Sequence, residues 1–199
     1  MPLLGAVVLA VAAATAPCDR GTTYDMRTCW DKQSASAGAE LKSAYAKAAA
    51  RMRGWGVSAA PLGAVQGAWT AARDKTCNFE YELYLPGTIA PQIAVECSVR
   101  MTLARTKRLD ALLSALQTRD HVAERKPVSA AAAAQLRTLY QRYLAHLTGS
   151  QRTSLAAAQA AWAAYRDKAC ALEGGACLTE LEKERIAELE ASWVGEPFW

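Results

Sequence analysis

Apolar residues recur every three or four positions along most of this chain, which is the spacing of one face of an α-helix. No stretch alternates apolar and polar residues over enough positions to predict a strand. Glycine and proline interrupt the pattern, notably at Gly54, Pro61, Pro86 and Gly149. The pattern predicts a short helix within 18–35 and longer helices over 37–52, 62–84, 91–116, 129–147, 150–170 and 178–193.

One of these helical stretches occurs twice, and each copy ends on a cysteine. Gln66–Cys77 matches Gln159–Cys170 at a constant offset of 93, with the Trp, the Arg-Asp-Lys and the Cys identical. A second cysteine then leads, in both copies, into an apolar residue, an Arg and a Leu at four-residue intervals, which lie on one helix face. These residues are Met101, Arg105 and Leu109 in the first copy and Leu181, Arg185 and Leu189 in the second.

The repetition predicts an all-α fold of two related antiparallel helical-bundle units stabilised by local disulfides. The paired cysteines enclose 19 residues in the first unit and only 6 in the second, so the second is a shortened version. We expect a signal peptide over 1–16, the full unit over 17–119, a polar linker over 120–128 and the shortened unit over 129–199.

The signal peptide is predicted from an uncharged start followed by the small-x-small site Ala14-Thr15-Ala16, although the usual early Lys or Arg is missing. A membrane anchor is the alternative, but the apolar run is short for the ~20 residues that a span needs. Export places the chain outside the cytoplasm, in the periplasm or the medium, where disulfides persist.

Six cysteines allow about 15 pairings, and the repeat selects among them. Equivalent positions predict Cys77–Cys97 and Cys170–Cys177, which leaves Cys18–Cys29 as a third local pair. Metal binding is the alternative, but no Cys-x2-Cys pair exists, and His121 and His146 stand apart from any cysteine. We therefore expect no metal and no cofactor.

Catalytic groups are scarce. Both histidines are interpreted as solvated, and no glycine-rich phosphate loop is present. A helix near the end carries five Glu together with Lys183 and Arg185, which is typical of a solvated charged face rather than of paired catalytic carboxylates. The chain is predicted not to be an enzyme.

The duplicated tryptophan motif is interpreted as structural, with ligand binding as the alternative. Trp and Arg lie four residues apart in both copies, so the Arg can lie beside the indole and reach a neighbouring helix. The residues concerned are Trp69, Arg73 and Asp74 in the first unit and Trp162, Arg166 and Asp167 in the second.

The pattern Gln-x2-Trp-x3-Arg-Asp-x2-Cys, then a glycine-containing turn, a second Cys and a helix with Arg and Leu resembles the LprI-type lysozyme-inhibitor family. The resemblance covers residues 18–112 as a full unit and 130–193 as a shortened one that lacks a counterpart of the Cys18/Cys29 segment. It implies a small exported all-helical protein and, for some members, inhibition of lysozyme. It identifies scaffold residues and no inhibitory residue.

Two surfaces are candidates for binding a lysozyme-like hydrolase. The net charge of +4 counts against docking a cationic enzyme, but residues 170–199 carry a balance of −5. Glu182, Glu188 and Glu190 on the last helix are therefore one candidate surface. The long insert is the other, with Phe79, Tyr81, Tyr84 and Leu85 as a patch that could plug a cleft, unless these rings pack beneath the loop.

A basic cluster at Arg100, Arg105, Lys107 and Arg108 is interpreted as a solvated face. An exported chain seldom meets nucleic acid, so we expect no nucleic-acid partner, and anionic envelope polymers are the better match. The predicted function is an exported binding protein that inhibits lysozyme or a similar cell-wall hydrolase by occlusion. The alternative is a non-enzymatic cell-envelope scaffold or adaptor; the oligomeric state stays open.

Overall fold

The computed structural model describes residues 18, 20–118, 127–174 and 176–192, with the backbone alone over 115–118. These residues form six α-helices and no strand, as the apolar spacing predicts. The helices are α1 (Thr23–Gly54), α2 (Ala60–Leu83), α3 (Ala90–Thr118), α4 (Ala130–His146), α5 (Gly149–Glu173) and α6 (Cys177–Ser192). The predicted signal peptide and most of the predicted linker lie outside the described residues, and the domain boundaries stay a prediction.

The first helix is longer than the sequence pattern predicts. Residues expected to form a separate short helix before Ala37 are the first turns of α1, which runs unbroken for 32 residues. Thr22 caps it: the Thr22 hydroxyl accepts from the Asp25 N–H at 3.2 Å, and the Thr22 N–H donates to the Asp25 carboxylate at 2.9 Å. Gly38 lies on an open face, where the helix tolerates it.

Within each unit the second and third helices run antiparallel. In the first unit Cys77 on α2 is bonded to Cys97 on α3, while Gln66 at the other end of α2 contacts Arg105. In the second unit the equivalent links are Cys170–Cys177 and Gln159–Arg185, between α5 and α6. Each pair is thus joined at both ends, which sets the register of the two helices.

The first helix of each unit packs on the third, α1 on α3 and α4 on α6. The Tyr143 hydroxyl donates to the Leu189 carbonyl at 2.6 Å, and the Ser129 N–H donates to the Thr179 hydroxyl at 2.9 Å. Because early residues of α4 meet early residues of α6, these two helices run parallel. The second unit is therefore an up-down-up arrangement of three helices.

The two units meet through their tryptophan-bearing helices, α2 and α5, which form the most extensive helix pair. Asn78 Nδ2 donates to Ser154 Oγ at 3.1 Å, and Gln151 Nε2 donates to the Glu82 carbonyl at 3.2 Å. The end of α2 thus lies beside the start of α5. The buried apolar side chains of both units belong to one continuous cluster, so the units share a core.

The three disulfides are the local pairs that the repeat predicts: Cys18–Cys29, Cys77–Cys97 and Cys170–Cys177. No cysteine of the described residues is free. Cys170–Cys177 joins the last turn of α5 to the start of α6, whereas Cys77–Cys97 links α2 and α3 well inside both helices; all four of these cysteines are almost fully buried. They hold each helix pair together where the connecting turn would otherwise allow it to open.

Removing either buried bridge should destabilise the protein in proportion to the loop that it closes. The chain-entropy relation gives about 3 kcal/mol for Cys77→Ala with Cys97→Ala and about 2 kcal/mol for Cys170→Ala with Cys177→Ala. Urea unfolding under non-reducing conditions measures both. An equal or reversed order would contradict loop closure as the source of the stability.

Candidate functional site

The duplicated tryptophan motif has the same geometry in both units. The Arg73 guanidinium carbon lies 5.1 Å from the Trp69 ring centroid, and the Arg166 carbon lies 5.1 Å from that of Trp162. Each Arg also donates from two nitrogens to the Asp that follows it, at 2.7–3.0 Å. The indole and the Asp together hold each guanidinium in place, which is what the structural interpretation of this motif expects.

The two copies differ in what the arginine reaches on the neighbouring helix. Arg166 Nη1 donates to Glu182 Oε1 on α6 at 2.7 Å, and the Glu182 side chain is only 6% exposed. The equivalent position on α3 is Thr102, so Arg73 receives no carboxylate there. The interpretation of the last helix as a solvated charged face is therefore wrong at Glu182, because its carboxylate is sequestered in an ion pair.

A second pair of arginines links the two units. Arg105 Nε donates to Gln66 Oε1 at 3.2 Å within its own unit, and its Nη1 donates to the Tyr165 hydroxyl oxygen of the other unit at 3.3 Å. Arg185 repeats this, with Nε on Gln159 at 3.2 Å and Nη1 on the Thr76 hydroxyl at 3.1 Å. Each third helix thus fastens its own second helix to that of the other unit.

Both linking arginines are buried, and their surroundings differ in charge. Arg185 is neutralised by Glu188, whose Oε2 lies 2.7 Å from Nη1. Among the described residues Arg105 contacts only neutral acceptors, and burial raises the pKa of the Tyr165 hydroxyl, so that group stays neutral as well. The second unit therefore balances its buried charge, whereas the first leaves a guanidinium without a contacting carboxylate.

The aromatic residues of the long insert are less exposed than a plug requires. Phe79 is buried, and its ring lies edge-on to Tyr143 with centroids 5.8 Å apart. Tyr81 and Tyr84 are half-buried. The insert extends α2 and α3. Of the predicted patch, Leu85 is exposed at the turn between these helices, together with Ile89.

We refer to Tyr84–Ile89 as the hairpin tip. Sequence reasoning overlooked Ile89; an apolar residue inside a Pro- and Gly-containing turn was the signal that could have found it. The tip is absent from the second unit, where α5 passes through Gly174 directly towards α6.

The structure places the C-terminal end of α6, with Glu190, at the same end of the molecule as the hairpin tip, whereas Glu182 lies near the start of α6. The Ser192 hydroxyl at the end of α6 donates to Glu80 on α2 at 2.7 Å. A small cleft of about 170 Å³ lies between Tyr84 of the hairpin tip, Glu96 of α3 and Ala191 of α6. Of the predicted acidic residues, Glu190 is exposed, Glu188 is held by Arg185, and Glu182 is internal.

Two members of the basic cluster are largely buried, and a third is partly exposed but paired. Arg100 pairs with Glu80, Arg105 is buried, and Arg108 donates to Glu173 and to Glu184 at 3.0 Å. Lys107 is the exposed member. The expected solvated face is thus mostly internal, because the carboxylates that neutralise it come from other helices.

Groups able to bind a metal ion are not assembled in the described part of the chain. No three His, Cys, Asp or Glu side chains there are arranged to hold a metal ion. His146 is exposed, and His121 lies outside the described residues. None of the described helices combines the length and the apolar character needed to cross a membrane.

Comparison with known families and structures agrees with this geometry. A family model described as "Lysozyme inhibitor LprI" matches residues 14–109 and 125–189. The chain belongs to the LprI lysozyme inhibitor family. Each of the two matched segments contains its own copy of the tryptophan motif, so the resemblance to the LprI family is confirmed.

A solved structure supports the fold of this LprI family member. A crystal structure of an uncharacterized protein from Burkholderia thailandensis superposes with a TM-score of 0.68 at 22% identity, covering 87% of this chain and 89% of that one. At this identity the likeness concerns the fold. No curated protein matches the chain significantly.

Reversing the charge of Glu182 should destabilise the protein, while the same change at Glu190 should not. Glu182→Lys leaves a buried cation against Arg166, which costs about 3 kcal/mol. Glu190→Lys changes an exposed residue of the same helix, with an expected effect within about 0.5 kcal/mol. Chemical denaturation of both variants measures the difference. Similar stabilities would contradict a structural role for the Arg166–Glu182 pair.

Proposed function

We propose that this protein is exported and inhibits lysozyme, or a similar cell-wall hydrolase, by blocking the enzyme's substrate cleft. The observation that carries the proposal is the hairpin tip, which presents Leu85 and Ile89 to solvent in a member of a lysozyme-inhibitor family. Their side chains are 48% and 40% exposed, in a chain whose other apolar residues are mostly buried. Exposed apolar residues grouped on one projection are typical of a contact surface.

The geometry of the insert supports a protruding contact. α2 continues past Cys77 to Leu83, and at 1.5 Å per residue this extends the helix by about 9 Å beyond the disulfide. Contacts of Phe79 with Tyr143 and of Asn78 with Ser154 hold the base of this extension against the second unit. A projection fixed at its base loses little conformational freedom when its tip enters a cleft, which favours binding.

Local charge also supports docking to a cationic enzyme. From Thr76 to Val99 the chain carries three Glu and no Lys, Arg or His. Glu96 beside the hairpin tip and Glu190 on α6 are exposed at the same end. The net charge of +4 therefore does not describe this end of the molecule, and an acidic rim would steer a cationic partner towards the tip.

Export is part of the proposal and follows from two features. The first sixteen residues have the composition of a signal peptide, and three disulfides suit an oxidising compartment. A binding role without catalysis follows from the family, whose model describes inhibitors. A cell-envelope scaffold or adaptor remains the second candidate, because the overall charge is positive and could hold anionic envelope polymers.

Replacing the two exposed apolar residues of the hairpin tip should weaken inhibition without affecting the fold. Leu85→Asp with Ile89→Asp should reduce inhibition of lysozyme by about tenfold or more, since burying a large apolar side chain contributes about 1.5–3 kcal/mol. Val57→Asp is the matched control, because Val57 is 47% exposed on a different connection. The measurement is residual lysozyme activity on a cell-wall substrate as the oxidised protein is titrated.

The same assay separates the two candidate functions. Glu96→Lys with Glu190→Lys should weaken inhibition and reduce its dependence on salt, because both residues belong to the acidic rim. Failure of the unaltered protein to inhibit any lysozyme tested, despite native disulfides, would favour the scaffold. Inhibition that is equal in the tip variant and the Val57 control would instead place the contact surface elsewhere.

A further inference from the structure

A groove runs between α3 and α6 on the face where the two units meet. Its volume is about 640 Å³, which lies in the range of small-molecule sites. Its floor is formed by α2 and α5 and includes Trp69 and Trp162. The Arg108–Glu184 ion pair spans from one wall to the other. We call this feature the inter-unit groove.

The lining of the inter-unit groove consists entirely of repeat-equivalent positions. Seven residues of α3 line one wall, and the seven residues numbered 80 higher line the other wall on α6. The four floor residues from α2 and α5 likewise differ by 93 in number. The groove therefore exists only because the two units face one another, and neither unit forms it alone.

The two walls have opposite charge although they occupy equivalent positions. Arg100 and Arg108 on the α3 wall correspond to Glu180 and Glu188 on the α6 wall, while the apolar Met101 and Leu181 correspond to each other. Apolar character is thus maintained along the groove, whereas its charge is reversed from one wall to the other. A ligand matching this surface carries an apolar body between an anionic and a cationic group.

Two charged residues on the walls have no partner within the described part of the chain. Lys107 on α3 and Glu180 on α6 are exposed, and the side chain of neither makes a hydrogen bond or an ion pair with a described residue. The other charged wall residues are paired internally, for example Arg108 with Glu173 and Arg100 with Glu80. Lys107 and Glu180 are therefore the side chains best able to bind the charged groups of a ligand.

The two walls also supply buried hydrogen-bond donors that lack acceptors among the described residues. Arg105 and Arg185, which line the groove and are 2% and 0% exposed, each have an Nη2 without a hydrogen-bond partner among the described residues. Buried donors are normally paired, so both call for an acceptor. Arg105 in addition has no contacting carboxylate, since its partners are Gln66 and the Tyr165 hydroxyl.

We propose that the inter-unit groove binds a short zwitterionic peptide with apolar side chains. Its carboxylate binds at the α3 wall, where Arg105 and Lys107 supply positive charge and donors. Its amino group lies at the α6 wall beside Glu180. Its apolar side chains pack on the Trp69 and Trp162 floor. This site is separate from the hairpin tip and does not depend on hydrolase inhibition.

Unmodified tri-leucine is the probe, and binding is measured from the indole N–H resonances of Trp69 and Trp162 during an NMR titration. We expect saturable shifts of these two resonances at millimolar peptide or below. Amidating the carboxyl terminus or acetylating the amino terminus should each weaken binding by about tenfold or more, because each removes a charged hydrogen-bonding group.

Two pairs of Ala→Leu substitutions, one inside the groove and one outside it, test whether the peptide binds there. Ala104→Leu with Ala187→Leu fills the groove from both walls at exposed positions and should abolish binding. Ala71→Leu with Ala164→Leu alters repeat-equivalent exposed alanines of α2 and α5 that do not line the groove, and should leave it unchanged. Neither pair requires the replacement of a buried residue.

Three outcomes would overturn the proposal. The first is the absence of saturable shifts, which would mean that water satisfies the buried donors. The second is equal binding of tri-leucine and its capped forms, or tighter binding of decanoate, an apolar carboxylate without an amino group. Either result would mean that the two opposite charges of the peptide do not contribute to recognition. The third is unchanged binding in the groove-filling variant. Loss of lysozyme inhibition in the tip variant with intact tri-leucine binding would leave this proposal standing.

Discussion

The crossed contacts of two buried arginines hold the two units of this protein in their relative position. Arg105 and Arg185 each bind a glutamine of their own unit through Nε and a hydroxyl of the other unit through Nη1. A guanidinium presents its donors in a rigid fork, so the two contacts fix an angle as well as a distance. The pairing of α2 with α5, the inter-unit groove and the place of the hairpin tip all depend on this arrangement.

The duplication has preserved shape and changed charge. Both units retain the tryptophan–arginine–aspartate geometry and the disulfide between the second and third helices. They differ at Thr102 and Glu182, where only the second unit supplies a buried carboxylate. Duplicated helices that meet face to face are free to diverge at polar positions while their apolar positions must continue to pack. The result is one shared core in which the equivalent helices α3 and α6 carry opposite charge.

The two candidate sites differ in how they arise. The hairpin tip belongs to the first unit alone, since the second has no such extension, and the inhibitory role that we propose for it rests on local chemistry. The inter-unit groove requires both units, because each contributes one wall and half of the floor. A protein of this kind can therefore contact one partner at its end and bind another on its face without the two competing for the same side chains.

Much of this structure could be predicted from local signals. Helix limits followed from apolar spacing and from glycine and proline, and the bridge pairs followed from the repeat, because both depend on residues close in the chain. The continuity of α1 was missed, since Gly38 is harmless on an exposed helix face and nothing in the local pattern says which face is exposed. The burial of Phe79 was anticipated as the alternative to an aromatic plug, whereas the burial of Glu182 was missed because its partner Arg166 comes from another helix.

The amino-acid sequence by itself determined that this chain is helical, duplicated, bridged by neighbouring cysteines and a member of the LprI lysozyme inhibitor family, because periodicity and repetition are written along the chain. Only the tertiary structure decided which charged residues are internal and which face solvent. Buried charged groups take their hydrogen-bond partners from whatever lies nearest in space, and for Arg105, Arg108 and Arg185 those partners include residues that lie far away in sequence.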